Sequence, residues 1–151
     1  MEIYFMDRRN AITSAYMPQA IGRVIRFCER FDTDTKGPDL AHQLWMLYGS
    51  GDRRLGLWIV VKEFVVIGHL LAHPEPIERP GGPWDYVLIR QAEADPKIDT
   101  RAESVIVFDA VKTWATGLGV PRLRMLTHRK ADLMAKRWGF VEYKTLMQRE
   151  L

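Results

Sequence analysis

Few side chains in this sequence can move a proton, and the clearest candidates sit on strand-like runs. Glu93 lies in the run Tyr86 to Ala94, where two-residue spacing places it on a face with Gln91 and Ile89. A strand carboxylate can accept a proton from an ammonium group as a general base. It can equally pair with an arginine near the strand end, and on the residues alone this structural role is preferred. His69 and His73 share a face of the preceding apolar run. His69, flanked by Ile67 and Leu71, reads as a core or edge histidine before it reads as a base. Four residues of strand hold the two rings too far apart for one ion, and His42 and His128 show no ligand spacing, so no metal site is expected. Cys28 is the single cysteine; it excludes an internal disulfide and fits a reducing compartment.

Two further features bear on anions. Thr100 and Glu103 have the spacing of a capping box, in which each side chain accepts from the other residue's backbone N–H at a helix start. From Pro121 to Leu151 there are eight Lys/Arg against three acids, so the tail carries +5 and the rest of the chain −2 of the formal +3. Such a face can attract nucleic acid, a phosphate-bearing cofactor or an acidic partner. Trp138, Phe140 and Tyr143 interleave with the charges, but Trp138 shares a stripe with Ala131 and Met134, which makes it core. A solvated helix face is the simpler reading, and nucleic-acid binding is not expected.

The elements that position these groups follow from periodicity. At 151 residues, 47% hydrophobic and 27% charged, the chain suits one globular domain spanning residues 1–151. Glu2 to Met6 is a short strand. Met17-Pro18 opens a helix whose buried stripe is Ile21, Val24, Ile25, Cys28 and Phe31. Pro38 starts a second helix, stopped by Gly49-Ser50-Gly51. Leu55 to Val61 and Val65 to Ala72 form a hairpin around Lys62-Glu63-Phe64. The Pro- and Gly-rich stretch from His73 to Asp85 is a loop, expected to contact a protein partner, a second subunit or a substrate. Thr100 to Leu118 is a broad apolar helix, with Val105, Phe108, Val111 and Trp114 expected inside. A strand (Leu123 to Thr127), a short helix (Lys130 to Trp138) and a last strand (Val141 to Met147) complete the order β-α-α-β-β-β-α-β-α-β. No apolar run is long enough to span a bilayer, and the amino terminus lacks a signal-peptide pattern, so a cytoplasmic location is expected.

That order resembles the GNAT superfamily of N-acetyltransferases. The local matches are Gly68 in VVIGHLLA, the strand end Ala94-Asp95-Pro96, the long helix running to Trp114-Ala115, and the tail THRKADLMAKRWGF closing on Gly139-Phe140. The second half also looks like short acetyltransferase-like proteins carried by bacteriophages, which would place the chain in host cytoplasm or a virion. The resemblance implies an α/β fold with a twisted mixed sheet of about six strands flanked by about four helices. It also implies acetyl-CoA as cofactor, Glu93 as base, and Ala94, Arg101, Ala102, Glu103, Ser104 and His128 against the cofactor.

The sequence departs from the family in two places. The family's pyrophosphate turn reads Arg or Gln, two residues, Gly, one residue, Gly or Ala, so that bare backbone N–H groups at a helix start grip the anion. Here the turn is Asp99 to Ser104, without glycine and with an acid in the first position. The tyrosine that commonly protonates the leaving thiolate corresponds to Ala135, and the Asn that often opens that segment is His128. The residues alone favour a degenerate acetyl-CoA site on a binding or virion-associated structural protein. The alternative is an active acetyl-CoA-dependent N-acetyltransferase acting on an amine.

Overall fold

The computed structural model describes residues 1–125, apart from Asp32 and Asp34, together with Gly139. The elements are β1 (Glu2–Phe5), α1 (Ala11–Phe31), α2 (Gly37–Ser50), β2 (Gly56–Lys62), β3 (Val65–Glu75), β4 (Tyr86–Ala94), α3 (Arg101–Gly117) and β5 (Leu123–Met125). The sheet order is β1-β2-β3-β4-β5. The first four strands are antiparallel neighbours, while β5 runs parallel to β4, as the α3 crossover between them requires. This is the mixed α/β architecture expected. The anticipated closing helix and last strand lie outside the described residues.

The first helix begins earlier than the proline suggested. Asn10 accepts the Ile12 N–H on its side chain (3.0 Å) and the Thr13 N–H on its carbonyl (3.0 Å), so the helix starts at Ala11. Pro18 then falls inside α1 on its exposed side, where water can satisfy the carbonyl one turn back. The opposite side buries Met17, Ala20, Ile21, Val24 and Cys28 against α2 and the sheet. Helix α2 ends as expected: Gly51 is left-handed (φ 64°), and the N–H groups of Gly51 and Asp52 return to the carbonyls of Tyr48 and Leu47. The β2–β3 hairpin turns on Glu63 and Phe64, both at positive φ, a two-residue turn that matches strand twist.

Two bulges decide which layer each strand residue serves. Opposite β2, Val60 pairs with Gly68 and Val61 with Val66, leaving Ile67 as the extra residue. Opposite β3, Gln91 pairs with Leu71 and Ile89 with Ala72, leaving Arg90 extra. Val87 and Ile89 consequently enter the α3-side core with Leu70 and Ala72, whereas Gln91 turns to α1 and reaches Cys28 Sγ at 3.4 Å. Period-two counting had placed Ile89, Gln91 and Glu93 on one face; the bulge separates Ile89 from the other two.

Helix α3 covers that second face with Val107, Phe108, Val111 and Ala115. Val105 and Ile106, however, are 52% and 56% exposed. At roughly 100° per residue Val105 stands about 120° around the helix from Val111, outside the arc that meets the sheet. Trp114 is half-buried and stacks edge-on to Trp58, ring centres 5.5 Å apart. The segment taken as a loop from His73 is partly strand: β3 continues to Glu75, pairing His73 with Leu88 and Glu75 with Tyr86. Trp84 in the remaining loop is buried, its indole N–H donating to the Arg79 carbonyl at 2.7 Å, so shortening this loop would uncover core.

Two glycines test the packing. A Cβ at Gly56 would come within 2.7 Å of the Trp114 ring and 2.9 Å of Trp58, whereas one at Gly49 meets nothing within 4 Å. Gly56→Ala should destabilise by about 1–3 kcal/mol through overpacking. Gly49→Ala, in helix α2, should be neutral or stabilising by roughly 0.5–1 kcal/mol. Urea denaturation of both variants checks the pair; equal effects would contradict the packing of Trp114 over Gly56.

Candidate functional site

The turn joining β4 to α3 is built from two aspartates that fold onto their own backbone. Asp95 donates its N–H to the carbonyl of the bulged Ile67 at 2.7 Å and accepts the Lys97 N–H on its carboxylate at 2.9 Å. Asp99 repeats the motif, accepting the Arg101 N–H at 3.1 Å and binding the Arg101 guanidinium through both oxygens (Nε 3.0 Å, Nη2 2.7 Å). The acid standing where an anion would sit is thus matched by the cation next to it, and it raises the Arg101 pKa.

The predicted capping box does not form. Thr100 is the N-cap residue, but at φ −113° and ψ 21° its side chain makes no cap hydrogen bond. Its carbonyl instead receives both the N–H and the hydroxyl of Ser104, each at 2.8 Å. Asp99 has already supplied the Asx turn that enters the helix, and this removes the extended backbone a capping box needs. Among the described residues the N–H groups of Ala102 and Glu103 therefore have no side-chain partner, and they lie at the positive end of the helix. Ser104, one of the expected cofactor contacts, has its hydroxyl proton committed to Thr100.

Glu93 sits one strand residue before this turn, on the α1 side. Its Oε1 lies 3.5 Å from Arg23 and 3.8 Å from Arg30. The arginine pairing anticipated for Glu93 is present, and it ties β4 to the first helix. Arg23 and Arg30 were not singled out in the sequence, although seven-residue spacing puts them on one helical face. Ala94 pairs with Gly68, where a Cβ would approach the Glu93 carbonyl to 3.1 Å and the Ala94 Cβ to 3.2 Å. The glycine lets the strands close beside the turn. Six expected site residues (Glu93, Ala94, Arg101, Ala102, Glu103 and Ser104) thus lie on one strand end and the helix start after it. His128 and Ala135 lie outside the described residues, as does most of the basic tail.

His69 and His73 are core groups. His69 is 4% exposed, bonds Gln91 through Nε2 at 2.8 Å, and meets the edge of Phe27. Burial lowers its pKa to about 4, so it is neutral at neutral pH. His73 is lowered to about 4 for the same reason, and its Nδ1, 3.2 Å from Glu75, makes a neutral contact rather than an ion pair. Among the described residues His69 Nδ1 and His73 Nε2 have no partner.

Both folded-state values fall below the unfolded value of 6.5, so the unfolded chain binds more protons in the interval between. Stability is then complete above pH 6.5 and falls as pH drops toward 4, by roughly 2–3 kcal/mol per histidine. Urea midpoints across that interval should decline, and His69→Gln should flatten the decline. A pH-independent midpoint would contradict burial of the neutral rings.

No protein-family model matches the sequence, and no curated protein matches it. Solved structures do. An aminoglycoside N-acetyltransferase, AAC(6')-Iy, in complex with CoA superposes with a TM-score of 0.68 at 15% identity, covering 99% of this chain and 93% of that one. A predicted acetyltransferase with acetyl-CoA from Clostridium acetobutylicum gives 0.67 at 11% identity, covering 99% and 95%. A ribosomal-protein-alanine N-acetyltransferase from Brucella melitensis biovar Abortus 2308 gives 0.58 at 11% identity, covering 99% and 100%. At these identities the likeness speaks for architecture, and it joins the strand order and the β4–α3 crossover in one conclusion: the chain has the GNAT acetyltransferase fold.

Proposed function

We propose that this protein binds a coenzyme A thioester at the β4–α3 turn and transfers the acyl group to an amine. The observation that carries this reading is the start of α3: Thr100 makes no cap bond, and among the described residues no side chain takes the Ala102 and Glu103 N–H groups, which leaves these two for an anion. The residues fit a pyrophosphate without the family's glycines, because Ala102 is small and Asp99 is already bound to Arg101. The Ala102 and Glu103 N–H groups would hold the phosphates, with Arg101 alongside. Ala94 and the absent Cβ of Gly68 keep the strand end low beside them. When bound, the thioester supplies an activated acyl carbon and a thiolate leaving group. Glu93 takes the ammonium proton of the acceptor, while Arg23 and Arg30 fix its carboxylate in place.

A second reading rests on the same ion pairs. Glu93 held by two guanidiniums is a tie between β4 and α1, and on this reading the protein keeps the fold, binds without turnover, and serves a binding or virion-associated role of the kind the phage resemblance implies.

Calorimetric titration of acetyl-CoA into the purified protein should show saturable binding. Arg101→Ala should weaken it about tenfold. Glu103→Ala should tighten it by removing a repulsive charge, and should change stability by less than about 0.5 kcal/mol because no capping box is lost. Absence of saturable binding would overturn the proposal. Binding without thiol release in the presence of amine acceptors would favour the second reading.

A further inference from the structure

A cleft lies at the end of the sheet away from the β4–α3 turn. It has a volume of about 360 Å³, within the range of small-molecule sites, and is bordered by the β1–α1 connection, the α2–β2 connection and Trp114. About 20 Å of helix α3 separates Trp114 from Arg101, so this cleft is remote from the β4–α3 turn.

Its charge is set by which arginines are already matched. Asp7 is bound by Arg9 and Asp52 by Arg54, each pair at 2.7 Å. Both acids at the cleft are thereby neutralised by their sequence neighbours. Arg8 and Arg53 form no salt bridge among the described residues, and the Asp7 carboxylate, bound to Arg9, feels the Arg8 charge only as a minor contribution. Arg8 donates one Nη to the Gly49 carbonyl at the end of α2 (2.7 Å), and Arg53 lies over the Trp84 ring at 5.2 Å. These contacts orient the two guanidiniums without cancelling their charge. Gly51 permits the arrangement, since a Cβ there would come within 2.8 Å of Arg8 Nε. Beside the cations, Phe5 is 39% exposed and Trp114 half-buried, which gives the cleft an aromatic wall.

We propose that this cleft binds a small organic anion, a phosphate or carboxylate carried on a flat apolar body. The anionic group meets Arg8 and Arg53, and the body lies against Phe5 and Trp114. The proposal is independent of the acyl-transfer reading, because no residue of the β4–α3 turn takes part.

Phenyl phosphate is a suitable probe, with inorganic phosphate as the comparison, in amide NMR titrations of the full chain. Saturable shifts of the cleft amides at about millimolar ligand are expected, with weaker binding of inorganic phosphate. Arg53→Gln, which leaves the Arg8–Gly49 contact intact, should weaken phenyl phosphate about tenfold, and Arg8→Gln with Arg53→Gln should abolish saturation. Arg101→Ala should leave the titration unchanged, and thermal melts confirm that each variant is folded. Unaltered affinity in folded Arg53→Gln, or no saturable shift in the cleft of the parent protein, would overturn the proposal.

Discussion

One extra residue in β4 organises much of this molecule. With Arg90 bulged out, the strand before it faces α3 and the strand after it faces α1. Val87 and Ile89 can then complete an apolar layer, while Gln91 and Glu93, two polar groups that such a layer would not tolerate, find Cys28, His69, Arg23 and Arg30 instead. Without the bulge, either Ile89 would sit among the arginines or Glu93 would lie under α3. The companion bulge at Ile67 gives β3 the same change of face, and its carbonyl receives the Asp95 N–H that ends β4. The turn into α3 is therefore fixed by sheet irregularity as much as by its own residues.

That turn shows how a local motif can be displaced by its neighbour. Thr100 and Glu103 have the right types and spacing for reciprocal capping, yet Asp99 reaches the Arg101 N–H first and sets a backbone from which Thr100 cannot cap. The competition is between two short-range hydrogen-bond patterns of similar strength, each worth about 1 kcal/mol. Its outcome reverses the electrostatic reading of the site. Asp99 is bound to Arg101 rather than facing an incoming anion, and among the described residues no side chain caps the Ala102 and Glu103 N–H groups.

Much of the architecture was legible because it depends on periodicity and punctuation. Gly51 ends α2, Glu63-Phe64 turn the hairpin, and the long helix before Gly119 is where the pattern put it. What escaped was whatever depends on tertiary context. Pro18 looked like a helix start because prolines favour that position, but Asn10 caps better and the proline faces solvent. Val105 looked buried because a stripe was counted through it, while the sheet meets a narrower arc centred near Val111. Bulges carry no sequence mark, so the face shared by Glu93 and Ile89 was misassigned. Among the candidate site residues, Glu93 and the α3 start were named from sequence, whereas Arg23 and Arg30 become visible only once α1 is laid across β4.

The account turns on whether the backbone of Ala102 and Glu103 receives an anion. Amide NMR during titration with coenzyme A reads those two groups directly. The account predicts that their N–H resonances shift together and saturate. Unmoved Ala102 and Glu103 amides under saturating coenzyme A would contradict it.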